Sequence, residues 1–475
     1  MIDTSAIRNR LMFLAISGKL VEQNIDEGNA RELIEKLSFE LNAKEPCLNI
    51  SHNEIPYEIP KNWMWCRLSD IGSTNIGLTY HPEDLGMEGI PVLRANNIKN
   101  NRMVFEDLIR VKCQIREKQF INKNDILICA RNGSKALVGK CAIYGGELGD
   151  ASFGAFMAVY RTLCFEYVYY YFQTKIFRRY FENENNKQIN QVTQTILKDA
   201  IIPLPPLAEQ RRIAAKLKET FALLDKIDEY QFTYISNVEF LKNRLFDLGV
   251  QGKLTEQLLE DGTSEQLYLD IQEEKDKLIQ EKKIKKEKAL LEISEEEIPF
   301  DIPDNWKWVR LGDICSKISS GNTPAGGSKG GAYVTEGFCF LREQNIYNDG
   351  IHNEGMVYIT EELLNTRPNS TVLPGDILLN ITGGSIGRCA LIPDDFSKGS
   401  INQHILIIRV IDPRIRFYVH KCLCSPYYQK LIMGNVVGDK DGFSAGRCKS
   451  TLIPLPPLAE QERIVEKIEE LLSLI

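Results

Sequence analysis

Nine consecutive residues, Ile202 to Gln210, occur twice in this chain. Ile-Pro-Leu-Pro-Pro-Leu-Ala-Glu-Gln recurs letter for letter at Ile453 to Gln461, 251 positions on, and Arg212-Ile213 recurs as Arg463-Ile464. Upstream, Glu54-Ile55-Pro56-Tyr57 and Asn62-Trp63-Met64-Trp65-Cys66-Arg67-Leu68 match Glu297-Ile298-Pro299-Phe300 and Asn305-Trp306-Lys307-Trp308-Val309-Arg310-Leu311 at an offset of 243. Asn9-Arg10-Leu11 and Gly18-Lys19-Leu20 match Asn243-Arg244-Leu245 and Gly252-Lys253-Leu254 at an offset of 234. Three matches in one order mean duplication, and a duplicated chain must fold as two similar bodies.

The offsets cut the repeat inside one segment, roughly 207–248 and its copy. Ile475 corresponds to Leu224 and Met1 to Ile235, so the chain ends in the first part of the copy and resumes in the second, with about ten residues of it missing. The expectation is two termini close together, a nearly circular molecule and a pseudo-twofold axis. Within the segment, apolar residues at Ile213, Leu217, Phe221, Leu224, Ile227, Tyr234, Val238, Leu241, Leu245 and Leu248 recur near every 3.5 residues, a coiled-coil seam. Pro205 and Pro206 precede it where proline costs nothing, and Glu209 suits a helix N-terminus. Some 42 helical residues make a rod of about 63 Å. Leu458, Ile464, Ile468, Leu471 and Ile475, then Ile7, Leu11 and Leu14, carry the seam of the copy, and the two rods are expected to pair antiparallel. The predicted coiled-coil positions, which are also the surface open to a docking partner, are Leu207, Ile213, Leu217, Phe221, Leu224, Leu241, Leu245, Leu458, Ile464 and Ile468. A further helix is expected at Ser264 to Leu291, with a shorter counterpart at Ala30 to Leu41; its Lys282–Lys286 run is flanked by glutamates and reads as a solvated face.

The blocks between rods, 53–205 and 296–455, show short β-branched runs, such as Asp125-Ile126-Leu127-Ile128 and Asp376-Ile377-Leu378-Leu379, then Ala155–Tyr160 and Ile405–Ile408. Each holds one expected helix, near 166–184 and 414–433. The fold class is therefore α+β: two mixed α/β domains with mainly antiparallel strands, separated by long antiparallel coiled-coil helices. The expected division is a helical segment 1–52, a first mixed α/β domain 53–205, a helical spacer 206–295, a second mixed α/β domain 296–455, and a terminal helix 456–475.

With 475 residues, 43 % apolar and 26 % charged, the chain has enough apolar surface for several cores. It has no run of 18 apolar residues, and Met1-Ile2-Asp3-Thr4-Ser5 does not open a secretory signal. Twelve cysteines lie scattered, the nearest pair being Cys422-Leu423-Cys424; with five histidines and no C-x-x-C, the reading is reduced thiols in a cytoplasmic protein without a metal site. No Asn-Pro-Pro or Asp-Pro-Pro marks an amino-methyltransferase. Gly133–Cys141 fails as a phosphate loop and reads as a turn between strands, and Pro393-Asp394-Asp395 lacks the partner a nuclease needs. The chain is expected to catalyse nothing by itself.

The net charge of −7 is uneven. Residues 54–200 carry 19 Lys/Arg against 16 Asp/Glu and residues 297–452 carry 16 of each, leaving −10 for the connecting segments. Two bodies on a stiff spacer suit a duplex target with two half-sites, and because the halves differ, the site should be asymmetric and split. Arg and Lys read guanine or hold phosphate, and Asn and Gln pair with adenine. The candidate DNA-contacting residues of the first block are Arg94, Asn96, Asn97 and Lys99, Arg131, Asn132, Ser134, Lys135 and Lys140, and Lys187, Gln188, Asn190 and Gln191. In the second they are Arg342, Gln344 and Asn345, Thr382, Ser385 and Arg388, and Lys440, Arg447 and Lys449. Arg94/Arg342 and Asn97/Asn345 also fit a fold-buttressing role, so the loops that differ between halves are the better sequence readers.

The doubled Leu-Pro-Pro-Leu-Ala-Glu-Gln-x-x-Ile stretch, the Gly-Lys-Leu-Thr-Glu and Asn-Trp-x-Trp segments and the block–rod layout resemble the specificity subunit of type I restriction-modification enzymes over essentially the whole chain. The resemblance implies a DNA-recognition subunit, with two target-recognition domains each reading one half of a bipartite site and helices that set the gap. It also implies two modification subunits docked on the helices, methylating adenine with S-adenosylmethionine, and restriction-translocase subunits driven by ATP and Mg2+; this chain holds no cofactor of its own. Partners that hold most phosphates would explain a chain that is not basic, so weak DNA binding is expected of it alone. The alternatives are a specificity module of an enzyme outside type I, and a coiled-coil protein scaffold without a DNA role.

Overall fold

The computed structural model describes residues 1–41, 50–182, 191–324, 332–434 and 443–475. The chain divides into two compact units, Met1–Thr233 and Tyr234–Ile475.

The first unit is built on a four-stranded antiparallel sheet in the order Ser73–Ile76, Met157–Arg161, Ile126–Cys129, Cys141–Ile143. Alternation along the central strands buries both faces. Ile126, Ile128 and Tyr160 pack with the aromatic helix Phe165–Phe172, whereas Leu127, Cys129 and Val159 pack against Leu93, Ile98 and Phe153. The second group covers a three-stranded sheet, Ile109–Val111, Leu85–Leu93 and Ser152–Phe153, whose last pairing is parallel. A short ribbon pairs Met64–Arg67 with Ile201–Leu204 and runs straight into the long helix Leu207–Val250.

The second unit repeats the plan. Its sheet runs Cys315–Ser320, Ile405–Val410, Ile377–Asn380, Cys389–Leu391, and its ribbon pairs Lys307–Arg310 with Leu452–Leu455 ahead of the helix Leu458–Leu472. A second four-stranded sheet, Val357–Ile359, Phe338–Leu341, Gly399–Ile401 and Thr371–Val372, takes the place of the three-stranded one.

The repeated nine residues bolt each helix to its own unit. Glu209, fully buried, accepts from the indole Nε1 of Trp63 at 2.9 Å and from Gln23 at 2.6 Å; Glu460 accepts from Trp306 at 2.8 Å and from Gln257 at 2.6 Å. Gln210 and Gln461 each donate to the first proline carbonyl before the helix, Pro205 and Pro456, at 2.8 Å. Tyr167 and Tyr418 donate to Pro203 and Pro454. Gly18 turns the chain at φ +70°, where a side chain would strike the Pro60 ring; Gly252 does the same against Pro303.

Several expectations need correction. The helix from Ser264 stops at Gln280, because Lys282 adopts φ +58°. The helices expected near 166–184 and 414–433 are each broken. Thr174 caps a new turn, Lys175–Arg178, and Ser425-Pro426 separates Arg416–Cys424 from Pro426–Gly434. The seam is not one continuous docking stripe. Ile213 and Leu217 are fully buried in the first unit's core, and Ile464 and Ile468 in the second's, where both meet Gly249. Leu224 is buried, Leu207, Phe221, Leu245 and Leu458 are half-buried, and Leu241 is exposed. In the first unit the helix Thr4–Ile16 is tied to the long helix by Arg8 to Asp225 at 2.9 Å and Asp228 at 3.0 Å. The long helix exposes Leu223, Tyr230 and Phe232 in the first unit and Tyr234, Ile235 and Phe240 in the second; of these, only Tyr234 lies on the predicted seam.

Candidate nucleic-acid interface

The residues repeated between the two halves are largely spent on the fold. Arg94-Ala95-Asn96-Asn97 forms a tight turn in which Asn97 Oδ1 accepts from the Arg94 backbone, while Nδ2 donates to the Val104 carbonyl at 3.1 Å and the Glu106 carbonyl at 3.0 Å. Asn345 does the same with Arg342, His352 and Glu354. Both amides are fully buried and fully partnered, so neither reaches a base edge. Arg94 donates to the Asp107 carbonyl at 2.8 Å, and Arg342 to that of Gly355. Lys140 donates to the Ile98 carbonyl at 2.8 Å, and burial pushes its pKa down. Lys99 is paired with Glu106 and Lys449 with Glu287. Arg447 lies exposed on the short helix Ala445–Ser450.

The other predicted residues sit on loops that differ between units. After the strand Ile126–Cys129, the chain presents Arg131, Asn132, Ser134 and Lys135; Asn132 is half-buried and the other three are exposed. The Asn132 side chain accepts from the Ser134 backbone at 3.0 Å, fixing the turn. Arg131 lies over the ring of Phe156 at 5.9 Å, and Phe156 is itself 63 % exposed. Gln191, also exposed, forms a backbone bridge with Arg131. An aromatic and a guanidinium exposed side by side make a surface on which a base or sugar can stack.

In the second unit the same loop is Thr382-Gly383-Gly384-Ser385. Among the described residues nothing approaches either glycine, so this loop presents backbone rather than charge. Thr382 pairs with His404 at 2.6 Å, and Ser385 accepts from the buried Asn380 at 3.1 Å. Beside it, Arg388 lies 4.2 Å over the ring of Tyr347, whose ring stacks on His352 at 4.0 Å. His352 in turn meets Asp349 at 3.0 Å. Lys99 and Lys140 stand where the second unit has Tyr347 and Arg388, 248 positions on. Gln344 and Asn96 are exposed at equivalent places. Lys187, Gln188, Asn190 and Lys440 lie outside the described residues. Phe156, Tyr347 and His352 complete the surface. Tyr347 and His352 lie in the polar stretch Gln344–Glu354, whereas Phe156 stands between Ala155 and Met157 and carries no such signal.

Among the described residues, one group gathers metal-binding atoms: Cys389, His420 and Cys424 in the second unit, joined from a strand and a helix. Their separation in the chain hid them from motif spacing. No helix among the described residues is long and apolar enough to cross a membrane.

Residues 60–231 and 303–475 match the model of the type I restriction modification DNA specificity domain. Over 98 % of its length the chain is 24 % identical to the EcoEI and 25 % identical to the EcoAI type I restriction enzyme specificity subunits of Escherichia coli, covering 88 % of each. Its fold is similar to a chain from a solved type I restriction-modification system, with a TM-score of 0.55 at 19 % identity over 88 % of this chain and 92 % of that one.

Proposed function

The chain belongs to the type I restriction-modification DNA specificity family, and from that premise we propose that each unit reads one half of a split, asymmetric DNA site. The observation that carries this reading is one scaffold bearing two chemistries. The buried Asn97 and Asn345 turns hold equivalent loops in place. One loop then carries Arg131, Asn132, Ser134 and Lys135 over Phe156, and the other carries Gly383 and Gly384 beside the Arg388–Tyr347–His352 stack. Stacking restrains each guanidinium and leaves its edge for guanine O6 and N7 or for phosphate.

The helices act as spacer and dock. The helix Leu207–Val250 fixes the distance between half-sites, and its exposed Tyr230, Phe232, Tyr234, Ile235 and Phe240 meet modification subunits. The chain itself is a non-catalytic, cytoplasmic subunit. S-adenosylmethionine, ATP and Mg2+ serve two modification subunits and the restriction-translocase subunits. The domain limits 53–205 and 296–455 mark what would be exchanged to swap a half-site.

The test is modified-base sequencing of a host that expresses this chain with its neighbouring methyltransferase subunit, against a host lacking this chain. The expected result is a new methyladenine motif in two unlike halves with a fixed gap, only one of which changes when 53–205 is replaced. An assembled methyltransferase that gains no chain-dependent motif would overturn the reading.

A further inference from the structure

Cys389 opens the strand Cys389–Leu391, and His420 and Cys424 lie one turn apart on the helix Arg416–Cys424 that packs against it. The i, i+4 spacing sets the last two on one helix face. The two Sγ atoms and an imidazole nitrogen lie within 4.8 Å of one another, and His420 Nε2 is 3.5 Å from Cys424 Sγ. With Zn–S near 2.3 Å and Zn–N near 2.0 Å, the sulfur–nitrogen edge of a zinc tetrahedron is about 3.5 Å. The Cys389 carbonyl oxygen accepts from His420 Nε2 at 3.0 Å and from Cys424 Sγ at 3.9 Å, hydrogen bonds that a bound ion would replace. Exposure is 0 % for Cys389, 7 % for His420 and 6 % for Cys424.

The scaffold does not demand these residues. The equivalent positions of the first unit are Cys141, Tyr169 and Gln173, and there Tyr169 donates to the Asn101 carbonyl at 2.7 Å and Gln173 accepts from the Asn101 amide at 2.8 Å. A hydrogen-bonded latch in one unit is thus replaced in the other by two thiols and an imidazole. Soft sulfur with nitrogen selects zinc or monovalent copper. Two thiolates and a divalent ion sum to zero charge, whereas monovalent copper would leave a net negative charge in a site sealed from water.

We propose that Cys389, His420 and Cys424 bind one zinc ion, which clamps strand to helix in the second unit. On binding, both thiols release their protons to solvent, the neutral imidazole holds its one proton on Nδ1 so that Nε2 is free, and each sulfur and Nε2 give the ion an electron pair, so acid weakens the site.

The experiment is elemental analysis of the untagged full-length chain, produced in zinc- and copper-containing medium and passed into metal-free buffer. About one zinc per chain is expected for the natural sequence and for Cys141→Ser, with most of it lost in Cys389→Ser, Cys424→Ser and His420→Gln. If a variant does not fold, the natural chain stripped by a chelator serves instead. Hydrogen exchange should then rise in 389–391 and 416–424 and stay unchanged in 141–143 and 165–172. A folded natural chain without zinc, zinc retained by all three variants, exchange unmoved by stripping, or copper in place of zinc would each overturn the proposal.

Discussion

The Asn97 turn separates a scaffold role from a reading role, and a substitution of nearly equal size does so most sharply. Asn97 makes three bonds to backbone in a site with no exposure: one accepted from Arg94, two donated to Val104 and Glu106. Asn97→Ala strands one donor and two acceptors. At about 1 kcal/mol or more for each buried group left unpaired, the loss is about 3–5 kcal/mol. Asn97→Asp keeps the shape but turns an oxygen toward two carbonyl oxygens. It must either bury a charge against them or take up a proton and satisfy only one, so it should cost at least as much as Ala. Hydrogen exchange on the full chain localises the effect. Peptides spanning 94–107 should lose protection in both variants, and peptides spanning 342–355 should not; Asn345→Asp should reverse the pattern. Natural protection in Asn97→Asp together with a changed base in the first half of the methylated motif would refute the argument, since the amide would then be a reader.

Other outcomes follow from named contacts. Arg388→Gln should relax or change one position in only one half of the motif, and Arg131→Gln one position in only the other, with each lost bidentate contact worth about 1–3 kcal/mol, read by modified-base sequencing. Asp376, fully buried, holds Arg409 through two 2.7 Å bonds, so Asp376→Asn should cost about 2–4 kcal/mol in urea unfolding, the partial exposure of Arg409 setting the lower end; Asp125→Asn, against Arg161, should do the same in the first unit. Burial, with Arg409 beside it, pushes the Lys317 pKa down to about 8, below its unfolded value, so the folded chain binds fewer protons between those values. The natural chain should therefore gain stability relative to Lys317→Met as pH rises from 8 to about 10, read as the difference between their unfolding midpoints, because thiols such as Cys66 and Cys141, pushed up by burial, act oppositely but alike in both. The purified chain alone should bind DNA weakly and lose binding steeply with salt, in contrast to the assembled methyltransferase; equal, tight specific binding in both would contradict that.

Periodicity and repetition are local signals, and what they encode was legible. The duplication, the long helix within a few residues of its bounds, and the central strands all rest on spacing along the chain. What escaped depends on side chains meeting across it. The buried trio Cys389, His420 and Cys424 joins positions 31 and 35 residues apart, a span no motif rule covers. The seam at Ile213 and Leu217 has coiled-coil spacing, yet those residues face a domain core; a 3.5-residue period says that a helix has an apolar face and not what covers it. The helix breaks at Thr174 and Pro426 are written in the sequence as a capping residue and a proline, and both mark where the expected single helices divide.

The two copies also correct each other. Letters shared across the repeat invite a functional reading, and Arg94-x-x-Asn97 and Arg342-x-x-Asn345 drew one. In the folded chain those letters are shared because both copies need the same turn, and a buried amide partnered to three backbone groups tolerates no substitute. A subunit that recognises two unlike half-sites must place its discrimination where the copies part. That principle points to the loops at 131–135 and 382–385 and to the Lys99/Tyr347 and Lys140/Arg388 exchanges. It also assigns the exchanges an order. Lys140 is tied to a carbonyl and Lys99 to a glutamate, while Arg388 is braced on an aromatic ring. At this shared site the second unit presents an arginine edge and the first two lysines with partners of their own, so the proposed reading assigns the first half-site to the adjoining Arg131 loop.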